Sequence, residues 1–264
     1  MRNIPDFQQY RDRHEPITMV TSYDAWSARL AVEAGIDALL VGDSVAMVMH
    51  GLPDTVHADI DMMVLHTAAV RRGAGDRQLV IADMPFPTHR LGPEKALEAA
   101  DRLMKAGANA IKIEGIRGHE TTIRHLVDSG VPVMGHLGLT PQQVHTLGGY
   151  KVQGRDPEAA SQMREDALAT EQAGAFALVL ECVPAERARS ITEQLHVPTI
   201  GIGSGVGCSG QILVLQDLLG LNGDFHPRFL RTYLDGRTQV VDALQRYRED
   251  VRSAAFPSPA ESFA

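Results

Sequence analysis

Short apolar runs recur along the chain at Ile17–Thr21, Ala38–Val41, Leu79–Ala82, Ala110–Ile113, Val131–Gly135, Ala177–Leu180, Thr199–Ile202 and Ile212–Leu215. Each is about 4–6 residues long and nearly free of charge, as expected of parallel strands buried on both faces. Between them the period lengthens. Asp59 to Arg72 carries Met62, Met63, Leu65, His66, Ala69 and Val70 at helical spacing. Pro93 to Lys105 opens on a proline suited to a first helical turn and continues with good helix formers. Ala159 to Gln172 is built alike. Ala34-Gly35, Ala106-Gly107, Ser129-Gly130 and Ala173-Gly174 each precede a strand-like stretch, and glycine just past a helix end supplies the left-handed residue needed there. This βα repeat predicts an α/β chain closed as a TIM (β/α)8 barrel. Asp6 to Arg13 predicts a short N-terminal helix beneath it, and residues 256–264 predict an irregular tail. No linker-like stretch interrupts the chain, so one domain over 1–264 is expected.

Composition narrows the picture. The 264 residues match the roughly 250 that one such barrel needs. A net charge of −8 without a basic run argues against nucleic-acid binding. No apolar stretch approaches the roughly 18 residues of a membrane span. Met1 to Glu15 lacks the apolar core of a signal peptide, which predicts a cytoplasmic protein. Cys182 and Cys208 are too few for a disulfide framework and lack C-x-x-C spacing, so free thiols are expected.

The chemistry gathers where strands end. Successive strand-like runs finish in Asp43-Ser44, Asp83, Lys112-Ile113-Glu114, His136 and Glu181. In a barrel all these ends meet at one mouth, where such enzymes act. A single Asp after a strand commonly caps the next helix, and one His is commonly a satisfied polar residue. Several acids converging in a half-buried mouth repel one another, however, and call for a cation. Carboxylate oxygens suit a hard ion such as Mg²⁺. Asp43 and Asp83 are the first candidates as direct ligands, with Glu114 bound directly or through water. Lys112 and Glu114, two apart, share one strand face. Lys112 then meets an anionic substrate group, neutralises the acids or forms a Schiff base. Glu181, following an apolar strand, is a candidate desolvated general base or a helix-cap carboxylate. Two loops are long enough to be functional: Met47 to Ala58, whose His50 and His57 lack metal-ligand spacing, and Gly148 to Gly154. Gly201 to Gly205 stands where barrels often bind phosphate.

Longer strings carry a resemblance. Val41-Gly42-Asp43-Ser44, His66 through Gly73, Ala82-Asp83-Met84-Pro85-Phe86, Ile111 through Gly115, Gly135 through Gln142, Gly148 through Gly154, Leu180 through Pro184 and Ile200 through Gly203 resemble the 3-methyl-2-oxobutanoate (ketopantoate) hydroxymethyltransferase family. The match spans about residues 4 to 257. The resemblance implies a barrel of the phosphoenolpyruvate/pyruvate-type superfamily. It implies transfer of a hydroxymethyl group from 5,10-methylenetetrahydrofolate to 3-methyl-2-oxobutanoate, giving 2-dehydropantoate on the route to pantothenate. By the same resemblance Asp43, Asp83 and Glu114 surround Mg²⁺, Ser44, Asp83 and Lys112 hold the keto acid, His136 stands beside it, and Glu181 is the base. A homo-oligomer, a decamer, is expected; no folate-contact residue is assigned. The chain departs from the family pattern at Thr55-Val56-His57-Ala58-Asp59, Ser204, Ser209 and Glu261. Two rival readings are a folate-independent keto-acid lyase or mutase of the same superfamily and a non-catalytic metabolite-binding barrel.

Overall fold

The computed structural model describes residues 1, 3–76, 78–223 and 227–263. The chain divides into two compact units, Met1–Leu213 and Val214–Ala264, at a boundary that no shift in composition marks.

The first unit is a closed barrel. Its strands are β1 (Ile17–Thr21), β2 (Ala38–Val41), β3 (Leu79–Asp83), β4 (Ala110–Glu114), β5 (Val133–Gly138), β6 (Ala177–Glu181), β7 (Thr199–Ile202) and β8 (Gly210–Leu213). They run in sequence order, each parallel to its neighbour, and β8 closes on β1. Two strands differ from the sequence reading. Pro132 has no N–H to give a ladder, so β5 starts at Val133. β8 lies two residues earlier than the apolar run suggested, because Leu215 already opens a helix.

Helix α1 (Pro5–Asp12) precedes the barrel, and α2 (Ala25–Glu33) follows β1. A one-turn α3 (Val45–Val48) and α4 (Ile60–Ala74) follow β2; α5 (Pro93–Lys105) follows β3 and α6 (Glu120–Asp128) follows β4. A one-turn α7 (Val144–Leu147) and α8 (Pro157–Gln172) follow β5, and α9 (Ala185–Gln194) follows β6. Their starts are set by caps: Asp24, Asp59 and Asp156 each accept a backbone N–H of the first turn at 2.8 Å. With Asp156 capping and Pro157 next, α8 begins before the Ala159 that periodicity suggested. The repeat is incomplete at one point: β7 passes to β8 through residues 203–209 without a helix.

The barrel interior follows period two. Ile17, Met19, Ala38, Leu40, Leu79, Ile81, Ala110, Met134, Ala177, Val179, Ile200 and Ile212 form one buried cluster. Phe7 of α1 belongs to it and is fully buried, with its ring edge-on to Phe176 at 5.3 Å. Its cluster partners include the first residues of β1, β2, β3, β4 and β6. The N-terminal helix therefore plugs the bottom of the barrel. Burial of one Phe in this way contributes roughly 2–3 kcal/mol. Arg11 of the same helix donates to the carbonyls of Thr192, Leu195 and His196, satisfying the free end of α9.

The second unit holds α10 (Leu215–Leu218), α11 (Gly236–Arg252) and a 3-10 turn at Pro259–Glu261. The Ser258 side chain and Glu261 close a capping box around that turn, so the tail expected to be irregular contains one ordered turn.

Candidate active site

The interior parity that buries Leu79 and Ile81 continues to Asp83 on β3. In the same way it continues from Ala110 to Lys112 and Glu114 on β4, from Met134 to His136 on β5, and from Ala177 and Val179 to Glu181 on β6. Apolar below and charged above, these strands change chemistry without changing direction. Register places Asp83 beside Lys112, and Glu114 beside His136. Asp43, two residues past the loop-ward end of β2, joins them by its backbone: its N–H donates to Asp83 Oδ2 at 3.0 Å. Asp43, Asp83, Lys112, Glu114 and His136 are each at most 4% exposed. The Glu181 side chain is 17% exposed. The structure thus brings together all the strand-end residues that the sequence singled out.

Two glycines permit this approach. A Cβ on Gly42 would lie 2.8 Å from Ser44 Oγ, so only glycine leaves that hydroxyl its place. Gly138, at φ +93°, lies so close to β6 that a Cβ would be 2.2 Å from the Glu181 carbonyl. That backbone conformation disfavours any side chain, and it lets Leu139 N–H donate to the Glu181 carbonyl at 2.8 Å.

Four carboxylates face one lysine and one histidine. Lys112 Nζ lies 3.1 Å from Asp83 Oδ1 and 3.8 Å from Glu114 Oε1. Burial disfavours the ammonium, but Asp83, Glu114 and Asp43 outweigh it and hold Lys112 charged. Burial pushes Asp43 well above the usual carboxylate range, reinforced by Asp83 and Glu114. Asp83 is also raised by burial, with Lys112 opposing. Glu114 goes the other way: burial raises it, but hydrogen bonding to His136, Lys112 and the Gln142 N–H bring it below its ordinary value. His136 stands between the acids. Its Nδ1 is 3.4 Å from Glu114 Oε1, and its Nε2 is 3.2 Å from Glu181 Oε2. Burial and Lys112 oppose the imidazolium, yet the two glutamates push it up to about 9. When the ring is neutral, Nδ1 accepts from Lys112 Nζ at 3.1 Å and Nε2–H faces Glu181.

The oxygen-rich donor set fits a hard cation. Among the described residues no three His, Cys, Asp or Glu side chains form a ready metal cage. Mg²⁺ does not require one, because it uses one or two carboxylates and keeps several waters. Asp83 Oδ1 faces the Lys112 ammonium at 3.1 Å, and the buried Gln142 Oε1 has no donor. Both acids raised above their ordinary range, Asp43 and Asp83, are adjacent. Glu114 has one oxygen occupied by the Gln142 N–H at 3.0 Å and the other beside His136 and Lys112, an arrangement suited to contact through water.

Two residues of this site escaped the sequence reading. Gln142, buried in a 3-10 turn after β5, donates from Nε2 to Asp43 Oδ2 at 2.8 Å and to the Met84 carbonyl at 3.0 Å. Tyr23, fully buried after β1, shares a 2.8 Å hydrogen bond with Ser44 Oγ. Extending the strand-end argument to β1 would have found Tyr23. Gln142 has no signal in spacing. Ser204, in the glycine-rich turn, is fully buried; it donates to the Leu180 carbonyl at 2.7 Å and accepts from Val183 N–H at 3.1 Å. Cys182 and Cys208 are both free.

Known proteins share both the sequence and the fold. The family model described as ketopantoate hydroxymethyltransferase matches residues 2–259. A 3-methyl-2-oxobutanoate hydroxymethyltransferase of Bdellovibrio bacteriovorus is 52% identical over 264 residues, covering 100% of both chains. One of Coxiella burnetii is 48% identical over 256 residues, 97% of this chain and 96% of its own. Among solved structures, phosphonopyruvate hydrolase in complex with oxalate and Mg²⁺ superposes with TM-score 0.64 at 14% identity, covering 99% of this chain and 93% of its own. A 2,3-dimethylmalate lyase of the PEP mutase/isocitrate lyase superfamily superposes with TM-score 0.61 at 18% identity, covering 100% and 92%. At such identities the structural likeness speaks for the fold alone.

Proposed function

The chain belongs to the ketopantoate hydroxymethyltransferase family, and from that premise we propose how its mouth performs the transfer. The enzyme is a hydroxymethyltransferase of pantothenate biosynthesis. In our reading the donor is 5,10-methylenetetrahydrofolate, the acceptor 3-methyl-2-oxobutanoate, and the product 2-dehydropantoate. The family assignment at 52% identity over the whole chain outweighs both the lyase or mutase reading and the non-catalytic one.

One observation carries the assignment of roles. His136 separates Glu181 from the group made by Asp43, Asp83 and Glu114. The acids therefore fall into a cluster and a lone, partly exposed carboxylate. The cluster suits Mg²⁺, with Asp43 and Asp83 as direct ligands and Glu114 through water. Bound there, Mg²⁺ supplies Lewis acidity toward the oxygens of a 2-keto acid. Lys112, held charged by the acids around it, attracts the substrate carboxylate. Ser44, its hydroxyl fixed by Tyr23, adds a second contact and limits rotation of the substrate. Glu181 takes the proton from the carbon next to the ketone. His136 Nε2, 3.2 Å from Glu181, orients that carboxylate. The resulting carbanion forms a C–C bond to the methylene carbon carried by the folate. Both C–N bonds of that carbon break, water supplies the hydroxyl oxygen, and tetrahydrofolate leaves. The proton from the substrate and those from water end on the hydroxyl and the two folate nitrogens.

No helix among the described residues is long and apolar enough to cross a membrane. A cytoplasmic homo-oligomer, a decamer by family resemblance, working on small molecules alone completes the reading. Its direct test is chemical. Purified protein with Mg²⁺, 3-methyl-2-oxobutanoate and methylenetetrahydrofolate gives 2-dehydropantoate; absence of product with every divalent metal tried would sink it.

A further inference from the structure

The acids at the barrel mouth are almost fully buried, although they stand at its open end. The segment after β5 reaches over to them. Its near end is pinned by Gln142, whose side chain and backbone reach Asp43, Met84 and Glu114. Its far end is pinned where Gln153 N–H donates to the Cys182 carbonyl at 2.9 Å. Between these anchors the segment reaches the loop after β2. The two strands are not neighbours, because β3 and β4 stand between them. The segment therefore passes above the strand ends that carry Asp83, Lys112 and Glu114.

Two contacts join the loops outside the acidic cluster. Tyr150 OH donates to Met47 Sδ at 3.6 Å, a weak bond. The other junction is Asp54. It is 8% exposed, and its two oxygens serve opposite sides. Oδ1 accepts Val56 N–H at 3.0 Å and His57 Nδ1 at 2.7 Å within its own loop. Oδ2 lies 3.3 Å from Nε2 of His145 in α7. The His145 side chain is 78% exposed, so this link opens to solvent more readily than the buried Gln142 anchors. The barrel beneath the acids is filled by the apolar cluster to which Phe7 belongs, which leaves the mouth as the route to them, past this segment.

We propose that Asp54 is a positioning residue that clasps the β5 segment over the mouth through His145 and so sets the surface against which the one-carbon donor docks. Asp54 touches no reacting atom; it acts through the segment it holds. The part concerning the donor rests on the folate-dependent reading above, while the clasp itself does not.

Limited trypsin digestion at Lys151, an exposed residue of the segment, reads the clasp without any substrate. Asp54→Asn keeps an acceptor for the Val56 N–H, so the turn is retained; His145→Leu removes the ring nitrogen that faces Asp54. Each variant is expected to raise the Lys151 cleavage rate and the KM for methylenetetrahydrofolate about two- to fivefold, the range that loss of a largely exposed polar contact supports. The kcat and the KM for the keto acid stay at wild-type values. The double variant matches the single ones, because both substitutions break one link. Unchanged cleavage at Lys151, or effects that multiply in the double variant, would overturn the proposal. If the wild-type enzyme fails to use the folate donor, the donor reading falls while the cleavage rates still judge the clasp.

Discussion

Replacing Lys112 with methionine removes the one ammonium from a pocket of buried carboxylates while keeping an unbranched apolar stem. With an effective dielectric of about 20, the 3.1 Å contact to Asp83 and the 3.8 Å contact to Glu114 correspond to gross attractions of about 5 and about 4 kcal/mol. The net cost is smaller, because the stranded acids take up protons instead of remaining charged. Breaking one partner of a buried pair costs about 3–5 kcal/mol. For a chain of this size that is a fall in Tm of roughly 6–20 °C. The pH dependence has a definite sign. Lys112 opposes the upward shifts of Asp43 and Asp83 and lowers Glu114, so Lys112→Met raises all three acids in the folded state. A carboxyl raised on folding stabilises the protein below its unfolded value and loses that contribution as pH rises through the folded value. The difference between wild type and variant is therefore smallest in acid and widens toward neutral pH. Thermal melts of both proteins from pH 5 to pH 8, without metal, measure it. Equal melting temperatures at pH 8, or a gap that narrows with rising pH, would show that Lys112 does not hold these acids in their charged form.

Other outcomes follow from the same geometry. Glu181→Gln is expected to keep binding keto acid and Mg²⁺ but to lose about 10²–10⁴-fold in exchange of the substrate's C3 proton with D2O, the usual contribution of a general base; undiminished exchange, read by NMR, removes Glu181 from that role. Mg²⁺ is expected to raise Tm more at pH 8 than at pH 5, because protons compete for Asp43 and Asp83, both raised above their ordinary range; a shift independent of pH places the metal elsewhere. Ser204→Ala leaves the buried Val183 N–H without its acceptor and should cost about 1–3 kcal/mol, measured by urea denaturation, with no change in KM for either substrate.

Much of this site was legible because two regularities coincide. Period two along a strand fixes which side chains enter the barrel, and the C-terminal end of the strand fixes which of those face the mouth. Asp83, Lys112, Glu114, His136 and Glu181 obey both, so reading strand ends in order recovers them. Asp43 lies just beyond its strand and was recovered by the same positional rule. Gln142 was not, because it reaches Asp43 from a 3-10 turn 99 positions away, a proximity that no local pattern records. Asp54 and His145 are joined in the same nonlocal way, and His57, read as a plain loop residue, is held by Asp54. The missing helix between β7 and β8 was hidden for another reason. Residues 203–209 are too few to return a chain across a sheet by way of a helix, but a βα repeat read from four glycine junctions does not test every unit. Caps explain the shifted helix starts: periodicity senses the apolar stripe, whereas Asp156 sets where α8 begins.

Phe7, seated among the first residues of the strands, gives the barrel the topology of a flask with one neck. Whatever reaches the acids does so from above, because beneath them the vessel is solid: the apolar cluster that Phe7 completes fills it, a packed core rather than a pore. Trimming Phe7 would loosen that filling and cost stability, but it would open no second entrance.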